Sequence, residues 1–401
     1  MGSFSDEYDV IIVGGGVMGS SAAHQLAKRG QKTLLLEQFD FLHHRGSSHG
    51  ESRTIRPTYP GDYYYPMVME SYQLWGQAQA EIGYKVLFNA RQLDMSRADD
   101  KCLRAIISTC QKYGAKYEII DRRQLNDKFS GRIDIPEDWI GLFTENGGVI
   151  KPTKAVSMFQ TLAYKYGAVL RDNTEVLNIE KDEVKGVVVT TTKGEKFCGK
   201  KCVVTAGAWT SKLVKTVSGI ELPIQPLETC ALYWRIKEGH EAKFSIEGDF
   251  PTFASYGVPY VYGTPCLEYP GLIKVAVHGG DPCDPDKRPW KPGHMMDSLK
   301  QWIERTFKGM VDSSGPVSSQ LCMYSWTPDE DFIIDFLGGG FGKDVVVAGG
   351  FSGHGFKMSP IIGRILADLV LTGEAEGVEM KYFRIARFED NPKGSFKDFM
   401  H

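Results

Sequence analysis

Asp9-Val-Ile-Ile-Val13, Gly14-Gly-Gly-Val-Met-Gly19 and Thr33-Leu-Leu-Leu36-Glu37 decide the fold. The first run has the length and β-branched composition of a buried strand. A G-x-G-x-x-G pattern follows at once on Gly14, Gly16 and Gly19, with Val17 and Met18 inside it. Ser20 to Arg29 then reads as a helix with Ala22, Ala23, Leu26 and Ala27 on one side, and Gly30 stops it. Thr33 to Leu36 is a second buried strand, closed by an acid. Gly14 allows the tight turn, Gly16 lets backbone approach a pyrophosphate, and Gly19 lets the helix pack closely on the strand. The N–H groups at the helix start then face phosphates. Glu37 lies 18 residues beyond Gly19, where a carboxylate can accept the hydrogen bonds of a ribose diol. Strand, glycine turn, helix, strand and acid together predict a βαβ dinucleotide site. The pattern alone leaves FAD and NAD both open.

The bulk composition narrows the class. A chain of 401 residues accommodates two domains or one elaborate one, and 42% hydrophobic residues supply a substantial core. A net charge of −3, with Lys and Arg spread throughout, argues against nucleic acid or an anionic membrane as partner. No apolar stretch reaches the ~18 residues that read as a membrane span. Met1 to Tyr8 is short and polar, with no secretory signal ahead of the first strand. Phe399-Met-His401 is not a Ser-Lys-Leu ending, so a cytoplasmic location is expected, with the peroxisome as the alternative. The eight cysteines form no C-x-x-C pair, which sets aside zinc ribbons and thioredoxin chemistry and fits a reducing compartment. Nothing calls for an obligate interface, and a monomer is expected.

Along the chain, Phe39 to Pro60 is a polar connector holding His43, His44, Ser47, Ser48, His49, Arg53 and Arg56. The arginines read either as a solvated basic loop or as cations that meet an anion. No acid or Cys cluster at ligand spacing accompanies the two histidines, so no metal is expected. Helical spacing covers Tyr63–Ile82, Asp99–Lys112, Arg122–Phe129, Lys151 to about Tyr166, Met295–Phe307 and Pro360–Leu371. Strands are predicted at Leu87–Met95, Ala168–Leu170 and Thr174–Glu180, the last containing Val176, and Gly141–Gly148 reads as a turn-rich bridge. Val184–Thr192 and Glu195–Phe197 form a hairpin. A separate strand from Lys201 runs into Thr205-Ala206-Gly207-Ala208-Trp209, a small-residue turn suited to close approach of a planar or phosphorylated ligand. Residues 226–320 alternate and are rich in aromatics, which predicts mixed or antiparallel strands, with a loop at Asp281–Pro292. Phe332–Asp335 and Val345–Ala348 are buried strands, and a long glycine turn, Gly349 to Ser359, feeds the last helix. The expected fold class is α/β: a Rossmann-like nucleotide domain with a parallel sheet, interleaved with a mostly β substrate domain. The first is expected from 1–88, 149–225 and 323–390, the second from 89–148 and 226–322, and 391–401 is a tail.

Four ordered blocks carry a resemblance: Ile12 to Gly19, Ser48-His-Gly-Glu-Ser-Arg-Thr-Ile-Arg56, Cys322-Met-Tyr-Ser-Trp-Thr-Pro-Asp329 and Gly350-Phe-Ser-Gly-His-Gly-Phe-Lys357. Over nearly its whole length the chain resembles the monomeric sarcosine oxidase family of FAD-dependent amine oxidases, which includes N-methyl amino acid, pipecolate and fructosyl amine oxidases. The resemblance implies FAD held covalently by a thioether from Cys322. It sets Ser47, Ser48 and His49 along the cofactor, with Val176, Ala206, Gly207 and Trp209, and with Gly353, Gly355, Phe356 and Lys357. It implies that Arg56 and Lys357 bind the substrate carboxylate, that Arg53 lies beside the flavin ring, and that Lys274 assists oxygen reduction. His278 and Tyr324 align with residues near the amine. Read without the family, Lys274 is a strand lysine facing water and Cys322 a structural thiol. The implied reaction is hydride transfer from the carbon next to a secondary amine to the flavin, with dioxygen becoming hydrogen peroxide. The alternatives are a fructosyl amino acid as substrate, or a dehydrogenase passing electrons to a protein. Two departures fall at the substrate: Val261-Tyr262-Gly263 lacks the first of two tyrosines that sarcosine-specific members carry, and Trp326 replaces a smaller or unbranched side chain.

Overall fold

The opening stretch folds as read. In the computed structural model, which describes residues 7–287 and 293–399, β1 (Glu7–Val13) is buried on both faces, as the centre of a parallel sheet requires. α1 (Val17–Lys28) crosses over to β2 (Thr33–Leu36), which pairs parallel with β1, Val10 beside Thr33 and Val13 beside Leu36. There follow β3 (Arg53–Ile55), α2 (Tyr64–Ile82), β4 (Leu87–Arg97), α3 (Lys101–Lys112), β5 (Tyr117–Ile120), α4 (Arg122–Lys128) and β6 (Trp139–Ile150). α5 (Pro152–Lys165) starts on proline, where a missing N–H costs nothing, and leads to β7 (Val169–Arg171), β8 (Val176–Asp182), β9 (Gly186–Thr191), β10 (Lys196–Val204) and α6 (Thr210–Ser218). The aromatic region supplies β11 (Gln225–Arg235), β12 (Thr252–Ser255), β13 (Val261–Thr264), β14 (Leu272–Val277), β15 (Asp281–Pro282) and α7 (Met296–Thr306). β16 (Ser318–Trp326), β17 (Ile333–Phe336), β18 (Val345–Gly349) and α8 (Ser359–Thr372) close the order.

These strands make two sheets. The first runs β17-β18-β10-β1-β2-β7, with β9 and β8 attached to β10. α1, α2, α5 and α8 bury one face through residues such as Leu26, Trp75, Phe159 and Ile362, and α6 covers the other through Val214. The second sheet runs β15-β11-β14-β13-β12-β4-β6-β3, with β16 on β11 and β5 on β6. Alternation along β14 divides its side chains between two environments. Ile273, Val275 and Val277 pack with Trp234, Trp302 and Phe307 under α7, while Lys274 and His278 point to the opposite face. The α/β class and the mixed second sheet are as expected; the first sheet, expected to be parallel, is so from β18 to β7 but turns antiparallel where β17 meets β18 and β9 meets β10.

Three readings change. Gly141–Gly148 is no bridge but part of β6, a strand paired with both β4 and β5. Its glycines answer close packing rather than turning: a Cβ on Gly147 would stand 2.8 Å from the Arg91 backbone, beside the register shift in β4, and one on Gly148 2.9 Å from Phe88 O. The hairpin arm at Glu195 and the strand from Lys201 are one element, β10, because Gly199 lies flat against Ile11 of β1. The polar connector contains β3, whose Arg53 pairs with Ile150 of β6 and so joins the second sheet. Of the expected loop Asp281–Pro292, the part from Arg288 to Lys291 and Pro292 lies outside the described residues, as do Met1–Asp6 and the last two positions.

Candidate active site

A cleft of 410 Å³ lies between the sheets and runs from the glycine loop after β1 to the turn between β18 and α8. At its first end the chain turns at Gly14 with φ +102°, a conformation that favours glycine. A Cβ on Gly19 would stand 1.9 Å from Gly14 O, so Gly19 seats α1 against the loop and does not itself line the cleft. A Cβ on Gly16 would fill the space 3.1 Å from Ser48 Oγ, which accepts the Val17 N–H at 3.0 Å. Glu37 is buried and accepts the N–H groups of Gly15 at 2.8 Å and Phe39 at 3.0 Å. Each of its oxygens keeps further acceptor capacity. Met18, Val176, Ala206, Gly207 and Trp209 line the same stretch. An open cradle at Gly16, a helix start and a buried acid are what a dinucleotide requires, and the residues present fit FAD.

The middle of the cleft is built on β3, β14 and β16. The Arg53 guanidinium donates to the carbonyls of Ser52 (2.7 Å), His49 (2.9 Å) and Ser47 (3.1 Å), and reaches Cys322 Sγ at 3.4 Å. Four acceptors fix it in one pose. Cys322 pairs across the strands with Thr229 and is 8% exposed. Lys274 is 2% exposed and donates to Ser52 O at 3.0 Å. Burial, then the charge of Arg53, hold its ammonium below the ordinary lysine range, while Glu268 on the preceding loop pulls the other way. Burial raises the Glu268 carboxyl.

At the far end two basic side chains stand close to Tyr59. Arg56 stands 5.4 Å from its ring and Lys357 5.3 Å. Arg56 donates to Thr58 O, to Thr58 Oγ1 at 3.1 Å and to Tyr260 Oη at 3.2 Å. Lys357 donates to Tyr59 Oη and His354 O, both at 2.8 Å, and burial followed by Arg56 lowers its pKa well below the ordinary value. Between this pair and the middle stand Tyr262, Tyr324 and His278, the two tyrosine hydroxyls 3.5 Å apart. Burial first, then Lys357 and Arg56, push His278 down to about 3, so its ring is neutral. Trp326 packs its ring 5.5 Å from His278 but is not among the residues lining the cleft. Gly353, Gly355 and Phe356 complete the lining.

The sequence reading missed Tyr59, Tyr260, His354, Asp94 and Glu268. Tyr260 bears on the missing first tyrosine: it sits one residue before Val261 and puts its hydroxyl on Arg56. The only sequence signal was the tyrosine density around 59–65 and 256–262. Asp94 reaches Arg56 from a strand 38 residues away in sequence, and nothing local marks it. Among the described residues no group of three or more His, Cys, Asp or Glu could hold a metal ion, and no helix is long and apolar enough to cross a membrane.

Fold and cleft are those of an FAD-dependent oxidoreductase: the profile of the family described as FAD dependent oxidoreductase matches residues 9–369. A protein of Arabidopsis thaliana named probable sarcosine oxidase is 69% identical over 402 residues, covering 99% of this chain and 97% of that one. The peroxisomal sarcosine oxidase of Homo sapiens is 33% identical over 395 residues, covering 97% and 98%. The solved structure of NikD, described as an unusual amino acid oxidase essential for nikkomycin biosynthesis, superposes with a TM-score of 0.82 at 24% identity over 99% of this chain and all of that one, which shows the fold. The chain belongs to the sarcosine oxidase family of FAD-dependent oxidoreductases.

Proposed function

We propose that the protein oxidises small secondary amino acids, namely sarcosine, another N-methyl amino acid or pipecolate, with dioxygen as acceptor. The observation that carries this reading is the pairing of half-buried Arg56 with buried Lys357, both close to Tyr59, at the end of the cleft away from the glycine loop. Two cations in a site walled by tyrosines suit a carboxylate, which a guanidinium and an ammonium both bind and orient. When bound, FAD accepts a hydride from the carbon next to the amine and passes the electrons to oxygen. For sarcosine the balance is sarcosine, water and dioxygen giving glycine, formaldehyde and hydrogen peroxide.

The chain's own residues divide the remaining work. Arg56 and Lys357 hold the acid group. Tyr262, Tyr324 and neutral His278 wall the amine, and none of them has to carry a proton for a neutral amine to react. Arg53 supplies a fixed positive charge, and Lys274 a second one where oxygen is reduced; preorganised charge of this kind stabilises developing anions. Cys322 Sγ tethers the cofactor through a thioether. The names of the Arabidopsis and human relatives support an amine of the sarcosine type. The human name also supports the peroxisome beside the cytoplasm as location, and we expect a monomer with no membrane or nucleic-acid partner.

Purified protein tested against sarcosine, pipecolate, proline, N-methyltryptophan and a fructosyl amino acid should form peroxide with a secondary amino acid. Peroxide with the fructosyl compound alone would move the substrate. Dye reduction without peroxide would favour a protein acceptor. Yellow colour should stay with the SDS-denatured chain and be released in Cys322→Ala; free FAD from the unaltered protein would end the thioether.

A further inference from the structure

The acid-binding end holds a carboxylate of its own. Asp94 lies on β4, is completely buried, and puts Oδ1 3.6 Å from Arg56 Nη1. The Tyr256 hydroxyl donates to the same oxygen at 2.8 Å, while Oδ2 is buried and makes no hydrogen bond of ordinary geometry. An acid in this place is not a packing solution. Its chain neighbours Leu93 and Met95 are core residues, and burying an ionisable group costs several kcal/mol unless a partner compensates it. The partner here is Arg56.

We infer that Asp94 sets the charge of the substrate end, so that the site takes amino acids whose bound part carries one negative charge and turns away dianions. The inference rests on the reading of Arg56 and Lys357 as the carboxylate grip. With both cations charged, Asp94 leaves one positive charge over. A single carboxylate cancels it; a second would be left buried without a counter-charge beside Asp94. Two further groups bear on it: burial raises both the Cys102 thiol and the Glu330 carboxyl, which acts on Tyr260, so each is held toward its neutral form. Tyr59, Tyr256 and Tyr260 are held protonated by burial, and His278 and His354 are held neutral. Burial raises the Asp94 carboxyl and Arg56 only partly opposes it, while burial and Arg56 push Lys357 toward its neutral form; the first shift removes negative charge and the second positive charge, so they act in opposite senses, and the one positive charge left over is that of both groups ionised.

The test compares propionate with malonate, a monoanion and a dianion of similar size, binding to the oxidised holoenzyme by calorimetry. The unaltered protein should bind propionate more tightly than malonate. Asp94→Asn should shift the malonate-to-propionate ratio toward malonate by on the order of tenfold or more, since one full charge at several ångströms is removed. Asp94→Glu should keep the original preference. Taking the ratio cancels any general loosening of Arg56, which would weaken both ligands alike. An unaltered protein that prefers malonate overturns the inference even if the Asn variant does not fold, and so does an equal ratio in the Asn variant. Failure of the underlying reading has its own signature: propionate that does not bind, or binds equally well to Arg56→Met.

Discussion

At the scale of the residue, the account turns on where single charges sit. Lys274 is nearly inaccessible, bonded to Ser52 O and close to Arg53. Lys274→Met should slow reoxidation of reduced enzyme by oxygen by on the order of 10²-fold, as loss of one preorganised charge does, while reduction by substrate changes little. Stopped-flow traces that superpose on those of the parent would remove the assignment. Lys357 makes a pH prediction. Its pKa lies well below 10.5, because of burial first and Arg56 second, and in the role proposed for it the protonated form grips the acid. Affinity for propionate should therefore be high at low pH and fall as pH rises through that depressed value, before 10.5 is reached. Lys357→Met should bind weakly with no such fall, and an unaltered protein with flat affinity to pH 10 would contradict it. The residues proposed for these roles were legible only in part. Cys322, Arg53, Arg56 and Lys357 stood inside distinctive blocks, whereas Asp94 and Glu268 act on partners that only the folded sheet brings near.

At the scale of the element, local pattern was read well wherever period and punctuation agreed. Every helix predicted from 3.6-residue spacing is present, and Asp100 caps α3 by accepting the Leu103 N–H at 2.8 Å. β6 was misread because glycines there serve close backbone approach, a need set by β4 and invisible within the segment. The end of the chain was read only as a tail, with no partner given for Lys397. Lys397 pairs at 2.9 Å with Asp331, which is completely buried and accepts the hydroxyls of Tyr63 and Tyr64; Tyr64 in turn packs on His354. Removing one member of a buried pair costs about 3–5 kcal/mol. Lys397→Ala should lose about that much in urea denaturation. A variant within experimental error of the parent would mean that the pairing is ornamental.

At the scale of the molecule, two sheets with different tasks share one cleft. The first sheet ends in a glycine cradle, and the second supplies Arg53, Lys274, Cys322 and Tyr324 from alternating positions that face away from its own core. β3 and β16 join the second sheet through residues that, in sequence, adjoin parts of the first. The most direct measurement of the central claim is an anaerobic titration of the purified protein with sarcosine or pipecolate, followed by admission of air. The account predicts that the yellow colour bleaches, that it returns with oxygen together with an equimolar amount of hydrogen peroxide, and that the amide of the same amino acid, lacking the charge for Arg56 and Lys357, leaves the colour unchanged. Bleaching by acid and amide alike, or colour that returns only when a protein acceptor is added, would contradict it.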